Sequence, residues 1–343
     1  MRRPNALVPL VALVALALGA CDDALDQRLA IIDAPRVLAV IAEPAEARPG
    51  ATVVYRAVIA SPGGPIDVPT DVPTDAPTDV PIDVPIDVPV DAPIDVPIDA
   101  LAERDGVPRW AYCTTPKAPT EDNVVSAACV AGEALVPLVS DVMSATGVLP
   151  MDACMRFGPD VPPGGFRPRD ADLTGGFYQP VRLDTGELAP LAFGMSRITC
   201  NLANATPEAF RQYVLEYVAN ENPTIDAVRI ANDLAPMIAA DTDVTIDVSW
   251  PAETIESYLY YDRARQRLVT RRESLRVSFF ATGGAFPVDS IAIDEPALGE
   301  SVATSASITW RTPPAGVAHL WIVLRDARGG VDVRTIAVTI DER

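Results

Sequence analysis

The sequence predicts a mainly-β protein built from two β-sandwich domains, and three observations lead to this prediction. Most apolar residues lie in short runs rich in Val, Ile and Thr and bounded by Pro or Gly, a pattern typical of strands. Only one stretch of the mature chain, residues 206–221, repeats with the period of an amphipathic helix. The 343 residues, 49% of them hydrophobic, are enough for about two domains with real cores.

Residues 1–20 have the layout of a secretory signal. Arg2 and Arg3 are followed by an apolar run from Ala6 to Leu18 and by the small residues Gly19 and Ala20. The run is too short and too early to span a membrane as a mature helix. No second apolar stretch approaches the length of a spanning helix, so the sequence predicts no transmembrane segment.

The segment Leu18-Gly19-Ala20-Cys21 resembles the lipobox of bacterial lipoproteins. The resemblance covers about 20 residues and implies cleavage before Cys21 and acylation of that cysteine. Residues 21–35 would then be a lipidated acidic tether, and the protein would be extracytoplasmic and held on a membrane, more often the outer than the inner one. The alternative is an ordinary signal peptide followed by a chance cysteine.

Five cysteines minus Cys21 leave four, and an even number in an exported chain predicts two disulfides. Of the three pairings we favour Cys113–Cys129 and Cys154–Cys200, because sequential pairs close loops inside one domain. A metal site is the weaker interpretation, since no CxxC spacing occurs and the only histidine, His319, is distant in sequence. We expect neither a metal nor another cofactor.

Residues 36–222 are predicted to form the first domain. Strand candidates Arg36–Ile41 and Thr52–Ala60, separated by a Pro-Gly turn, resemble the opening of an immunoglobulin-like sandwich. Trp110, close to Cys113 in the next strand candidate, is similar to the core tryptophan of such domains. This resemblance implies that Thr52–Ala60 and Arg109–Cys113 are neighbouring strands and that the intervening residues are their connection.

Within that connection a Pro recurs every four residues from Pro65 to Asp99, with an Asp two positions after each Pro. Regular Pro excludes helix and central strand, so residues 65–100 are predicted to be an exposed, disordered, polyproline-like spacer. At about 3.1 Å per residue, successive carboxylates would lie about 12 Å apart, too far to share a calcium ion. A calcium-binding array and a protein-binding arm are the alternatives.

The remainder of the first domain combines a loop-rich, Cys-rich region at 101–205 with the helix at 206–221. Thr206 suits the N-cap and Pro207 the first turn. The apolar stripe of this helix is predicted to be its buried face and comprises Phe210, Val214, Tyr217 and Val218.

Residues 223–343 are predicted to form a second, all-β sandwich. Asp243–Trp250 alternates cleanly between apolar and polar residues, as a half-buried strand does. The last hairpin, residues 320–340 with the turn Arg328-Gly329-Gly330, looks like the closing hairpin of bacterial immunoglobulin-like or PKD-like domains. With Lys117 as its only lysine, the chain is similar to high-GC envelope lipoproteins of the myxobacterial type, which implies a location and an architecture but no activity.

The composition favours a binding protein over an enzyme. A net charge of −20 disfavours nucleic acid as a partner. A lone His319 makes Ser-His-Asp and Cys-His arrangements improbable. We therefore expect a non-enzymatic binding or assembly component whose partner is an envelope protein or polysaccharide. The alternative is a carbohydrate-binding module or a carboxylate-dependent hydrolase in residues 101–222, which would show exposed aromatic rings or two facing carboxylates about 5–9 Å apart.

Overall fold

The computed structural model describes residues 29–66, 103–104, 107–118, 120–159, 173–231 and 237–342. The signal segment, Cys21 and the repeat from residue 67 to residue 100 lie outside the described residues, and their roles stay predictions. Within the described ranges no helix is long and apolar enough to cross a membrane.

The first sandwich consists of two sheets made from residues 36–199. Its strands are β1 (Arg36–Glu43), β2 (Glu46–Ala47), β3 (Thr52–Ser61), β4 (Gly64–Pro65), β5 (Glu103–Arg104), β6 (Val107–Pro108), β7 (Trp110–Cys113), β8 (Leu135–Pro137), β9 (Val139–Ser140), β10 (Ser144–Val148), β11 (Gly176–Leu183) and β12 (Ala192–Thr199). One sheet has the order β1-β3-β10-β9, with β4 paired to β3, and the other has the order β2-β12-β11-β7-β8. Strands β5 and β6 form a separate two-stranded ribbon.

The second sandwich repeats this arrangement with residues 227–341. Its strands are β13 (Ala227–Ile230), β14 (Met237–Ala239), β15 (Asp243–Ser249), β16 (Ser257–Asp262), β17 (Arg267–Arg272), β18 (Leu275–Ala281), β19 (Ser290–Ile293), β20 (Ser305–Arg311), β21 (Gly316–Asp326) and β22 (Val331–Asp341). The sheets have the orders β13-β15-β20 and β14-β22-β21-β18-β19, and β16 and β17 form a hairpin of their own.

Both sandwiches begin with a strand that changes sheet. In the first, β1 pairs antiparallel with β3; after the cis bond between Glu43 and Pro44, β2 pairs parallel with β12. In the second, β13 pairs antiparallel with β15 and β14 pairs parallel with β22. In each sandwich the longest insertion follows the third strand in sequence. It lies between β3 and β7 in the first sandwich and between β15 and β18 in the second, and each of these pairs belongs to opposite sheets. The predicted mainly-β, immunoglobulin-like fold class is confirmed.

The core of the first sandwich corrects one predicted pairing. Strands β3 and β7 are not neighbours, because they lie in opposite sheets and face each other across the core. Buried Tyr55 and Tyr112 bring their hydroxyl oxygens to 3.0 Å, and Trp110 stacks on Tyr55. On the side away from β1, β3 pairs with β10, which lies in the region predicted to be loop-rich because Ser144–Val148 is short and contains Gly147.

Part of the predicted tether is packed on the protein. Of residues 21–35 the structure describes 29–35, and within this range residues 30–32 are packed, whereas Leu29 and residues 33–35 are exposed. Ala30 and Ile32 are buried, and the backbone N–H of Ile32 donates to the carbonyl of Ala281 in β18. The chain therefore contacts the second sandwich before it enters the first.

Three α-helices are described, namely α1 (Ala127–Val130), α2 (Ala153–Phe157) and α3 (Pro207–Glu216), together with a 3₁₀ turn at Ala252–Thr254. Helix α3 begins as predicted, since Thr206 Oγ1 accepts a hydrogen bond from the N–H of Ala209 at 3.2 Å. It ends at Glu216 and not at residue 221.

The predicted buried stripe of α3 is wrong in most of its members. Phe210, Val214 and Val218 are 40%, 56% and 66% exposed, whereas Ala209 and Tyr213 are buried. The helix packs on the β16–β17 hairpin through Ala209 and Tyr213. The hairpin therefore covers the side of the helix that carries Ala209 and Tyr213, and Phe210 and Val214 stay exposed.

The two sandwiches pack directly on each other. Leu38, Ile41 and Ala60 of the first sandwich form one apolar cluster with Trp321 and Val323 of the second. Beside this cluster, Arg325 Nη2 donates to the carbonyl of Leu38 at 2.7 Å. The extended segment 217–226 crosses from one sandwich to the other along the same boundary.

Candidate functional site

The structure joins the four described cysteines in the pairs favoured from the sequence. Cys113 bonds to Cys129 and Cys154 to Cys200, each pair with Cα atoms 5.4 Å apart. The first pair is fully buried, and the second is partly exposed. Two disulfides are typical of proteins that fold in an oxidising compartment, so the protein has an extracytoplasmic location.

A cleft of about 640 Å³ lies at the boundary between the sandwiches. One wall is the end of β1 with the following turn, the other is β22, and the connecting segment 220–224 forms part of its lining. Clefts at domain boundaries are common ligand sites, and this volume is in the usual range for small ligands.

The cleft is held in one shape by its connecting segment. The side-chain amide of Asn222 donates to the carbonyl of Ala42 at 2.8 Å, and its oxygen accepts from the N–H of Val331 at 2.9 Å. On the second sandwich, Asp332 accepts from the N–H of Ile225, and Arg334 donates to the carbonyl of the same residue. The connecting segment is therefore hydrogen-bonded to both walls of the cleft.

The charged side chains that line the cleft differ in whether they already have hydrogen-bond or ion-pair partners within the protein. Both oxygens of Asp332 accept backbone N–H groups, and one oxygen of Glu43 accepts from Asn222. Arg56 and Arg334, from opposite sandwiches, have no ion-pair partner among the described residues. Glu221 adds another carboxylate. Such a lining suits a polar ligand that can accept hydrogen bonds from guanidinium groups.

A buried carboxylate fixes the connecting segment from the side of the first sandwich. Glu46 in β2 accepts hydrogen bonds from Arg197 Nε, Thr199 Oγ1, the hydroxyl of Tyr217 and the N–H of Asn220, at 2.5–3.0 Å. Burial acts to raise the pKa of Glu46, but the charge of Arg197 and these hydrogen bonds outweigh burial and lower it. Glu46 is therefore a buried, ionised and fully paired group.

A second cluster fixes the same segment from the side of the second sandwich. Arg328 donates from Nε to Glu273 and from Nη2 to Glu256, both at 2.6 Å, and from Nη1 to the carbonyl of Val218. Its own carbonyl accepts from the hydroxyl of Tyr178 in β11. Arg328, in the turn between β21 and β22, thus contacts the second sandwich, the connecting segment and, through its carbonyl, β11 of the first sandwich.

Burial is the largest influence on the pKa of the Glu273 carboxyl. One of its oxygens is buried without a hydrogen-bond partner among the described residues. Burial raises the pKa of Glu273 to about 8, Asp326 acts in the same direction, and Arg328 opposes the rise. The cluster around Arg328 therefore contains a carboxyl whose pKa lies well above that of an ordinary glutamate.

The described part of residues 101–222 shows carboxylates that serve local turns. Asp141 accepts from the N–H groups of Met143 and Ser144, Asp152 pairs with Arg156, and Asp184 accepts from Gly186. Across the described ranges no cluster of three or more His, Cys, Asp or Glu side chains could hold a metal ion. These carboxylates shape loops.

Aromatic side chains do not form a binding row. All four tryptophans are described and buried, and each of the eight tyrosines, also all described, is at least partly buried. The surface feature that would favour carbohydrate binding through stacked rings is therefore missing from these residues.

Sequence reasoning identified the disulfides but not the residues that build the cleft. Cys21 lies outside the described residues. Glu46 and Arg197 are 151 positions apart, and Glu273 and Arg328 are 55 apart, so no local pattern could pair them. The only signal was the position of Arg328 in the predicted closing turn.

No protein-family model matches the chain, and no curated protein matches it. Among solved structures it is similar to domains 4 and 5 of the S-layer protein SbsC, with 8% identity and a TM-score of 0.17 over 49% of this chain and 58% of that one. Alpha-2-macroglobulin of Escherichia coli, activated by porcine elastase, aligns with 11% identity and a TM-score of 0.23 over 94% of this chain and 23% of that one.

Dimeric latent PorU from Porphyromonas gingivalis aligns with 8% identity and a TM-score of 0.20 over 90% of this chain and 20% of that one. This chain thus spans little more than half of the S-layer fragment and about a fifth of the other two proteins. Likeness at this level carries no argument about function.

Proposed function

We propose that the protein is a lipid-anchored, non-enzymatic component of the bacterial cell envelope that binds a polar partner, an envelope protein or a polysaccharide, in the cleft between its two sandwiches. The observation that carries this proposal is the fixed shape of the cleft. Asn222 holds both walls, while Glu46 and Arg328 hold the connecting segment. A preformed site loses little conformational freedom when a ligand binds.

The anchor part of the proposal is supported by the lipobox resemblance at Cys21 and by the disulfides. Between Cys21 and Leu29, where the described chain begins, lie seven residues, 22–28. Fully extended, they reach about 25 Å. Such a tether would keep the second sandwich close to the membrane and leave the cleft accessible to other envelope components. We place the protein on the outer membrane.

Fractionation of cells tests the anchor. The native chain should sediment with membranes, and Cys21→Ala should be soluble, because a lipid anchor contributes about 0.8 kcal/mol for each buried methylene. Protease added to intact cells then shows which side of the outer membrane the protein faces. Equal solubility of the native chain and Cys21→Ala would refute the anchor.

Binding to isolated envelope polysaccharide, or to a cross-linked envelope protein, tests the cleft. Arg56→Gln and Arg334→Gln should each weaken binding at least about tenfold, since each removes a charged hydrogen bond worth roughly 1.5–3 kcal/mol. Arg311→Gln is the control, because Arg311 is also exposed and lies outside the cleft. Unchanged binding in both cleft variants would refute this site.

A further inference from the structure

A second groove, of about 390 Å³, lies away from the interdomain cleft and has a disulfide in its wall. Its lining includes Arg48, Pro49, Tyr213 and Val214 together with both sulfur-bearing residues, Cys154 and Cys200. The bond links α2 to the residue that follows β12, so it closes the region between two elements of the first sandwich.

The two disulfides of the chain differ in their access to solvent. Cys113 and Cys129 have no exposed surface and pack with Val125 in a cluster of their own. Cys154 and Cys200 are partly exposed, at the edge of the first core. An attacking thiolate must reach a sulfur atom directly, so the partly exposed bond should react before the buried one while the protein stays folded.

The groove that exposes the disulfide is also lined by a positively charged residue. Arg48 is exposed, lines the groove and has no ion-pair partner among the described residues. A nearby guanidinium favours a thiolate over a thiol. It therefore favours both the incoming thiolate and the thiolate that leaves when the bond opens.

We propose that Cys154–Cys200 is a site of thiol–disulfide exchange, open to a thiol that enters this groove. The thiolate forms a bond to one of the two sulfur atoms, and the Cys154–Cys200 bond breaks with its electron pair on the other sulfur, which becomes a thiolate in the groove that Arg48 lines. A second equivalent of thiol can attack the mixed disulfide. The product is then a reduced protein and one oxidised dimer of the thiol.

Glutathione exchange on the folded full-length Cys21→Ala chain tests this inference, because only the four paired cysteines remain. Samples are alkylated at intervals and mapped by mass spectrometry. Glutathione and alkyl groups should appear on Cys154 and Cys200 at least about tenfold faster than on Cys113 and Cys129, the buried internal control. In denaturant the two pairs should react at similar rates. Equal rates in the folded protein would overturn the proposal.

Arg48→Gln provides the second measurement. It should slow the exchange several-fold without lowering the melting temperature, since a surface arginine is replaced by a polar residue of similar length. Arg311→Gln, which removes an exposed arginine outside this groove, should leave the exchange rate unchanged. An unchanged rate in Arg48→Gln would overturn the role given to the guanidinium.

Discussion

Arg197 Nε donates to Glu46 Oε2 at 3.0 Å, and both side chains are buried. The pair lies where β2 runs parallel to β12, and Arg197 is directly paired with Glu46 in the strand register. Because Glu46 also accepts from Tyr217 and from the N–H of Asn220, one carboxylate connects the first sandwich to the segment that leads into the second. The ion pair thereby positions one side of the interdomain cleft.

Arg197→Met tests this connection. The variant leaves Glu46 buried without its opposite charge, and removal of one partner of a buried pair typically costs about 3–5 kcal/mol. The free energy of unfolding from urea titration should fall by that amount. Arg311→Met, which breaks an exposed pair with Asp243, should change it little. Similar small losses in both variants would show that the Glu46–Arg197 pair does not hold the structure.

The stability of the protein should depend on pH through Glu273. Its pKa of about 8 in the folded protein lies above the value near 4.3 of an unfolded glutamate. Between these values the folded state binds more protons than the unfolded state, so the contribution of this group is fully present below about pH 4.3 and is lost as the pH rises through 8. The slope reaches about 1.4 kcal/mol for each pH unit.

Urea titrations from pH 5 to pH 9 measure this dependence. Glu273→Gln should lose less stability than the native chain as the pH rises, since the variant has no proton to release at this position. Glu295→Gln, which alters an exposed carboxylate paired with Arg271, should keep the native profile. Parallel profiles for the native chain and Glu273→Gln would contradict the assignment.

The sequence predicted local structure better than it predicted long-range contacts. The alternation of Asp243–Trp250 and the β-branched run Thr52–Ala60 define strands through their own residues, and the structure places β15 and β3 there. The partner of a strand depends on the whole chain. Strand β3 consequently pairs with β10, a strand too short to be predicted, and faces β7 from the opposite sheet.

The cleft was unpredictable for the same reason. Its residues come from β1, β3, β22 and the connecting segment, and in the sequence Arg56, Asn222 and Arg334 look like ordinary polar surface positions. The disulfides were predictable, because oxidising compartments impose an even count of cysteines and sequential pairs close short loops. For the helix α3, the sequence predicted the start, which Thr206 marks, but not the buried face, which depends on the β16–β17 hairpin.

Paired substitutions on α3 check which of its faces is buried. Tyr213→Ala should lower the free energy of unfolding by about 3 kcal/mol, because the ring is buried among Leu202, Tyr261 and Leu268 and its hydroxyl donates to the carbonyl of Thr174. Val214→Ala, one position further on, should change it by less than about 0.5 kcal/mol. A larger loss of unfolding free energy in Val214→Ala would instead support the buried face predicted from the sequence.

Removal of each disulfide should destabilise the protein according to the loop that it closes. In the chain-entropy model the 16-residue separation of Cys113 and Cys129 gives about 3 kcal/mol, and the 46-residue separation of Cys154 and Cys200 gives about 4 kcal/mol. Double substitution to alanine avoids burying an unpaired hydroxyl. The two losses should add in the fourfold variant, because the pairs belong to separate apolar clusters. An unchanged urea midpoint for Cys154→Ala with Cys200→Ala would show that this bond does not stabilise the folded protein.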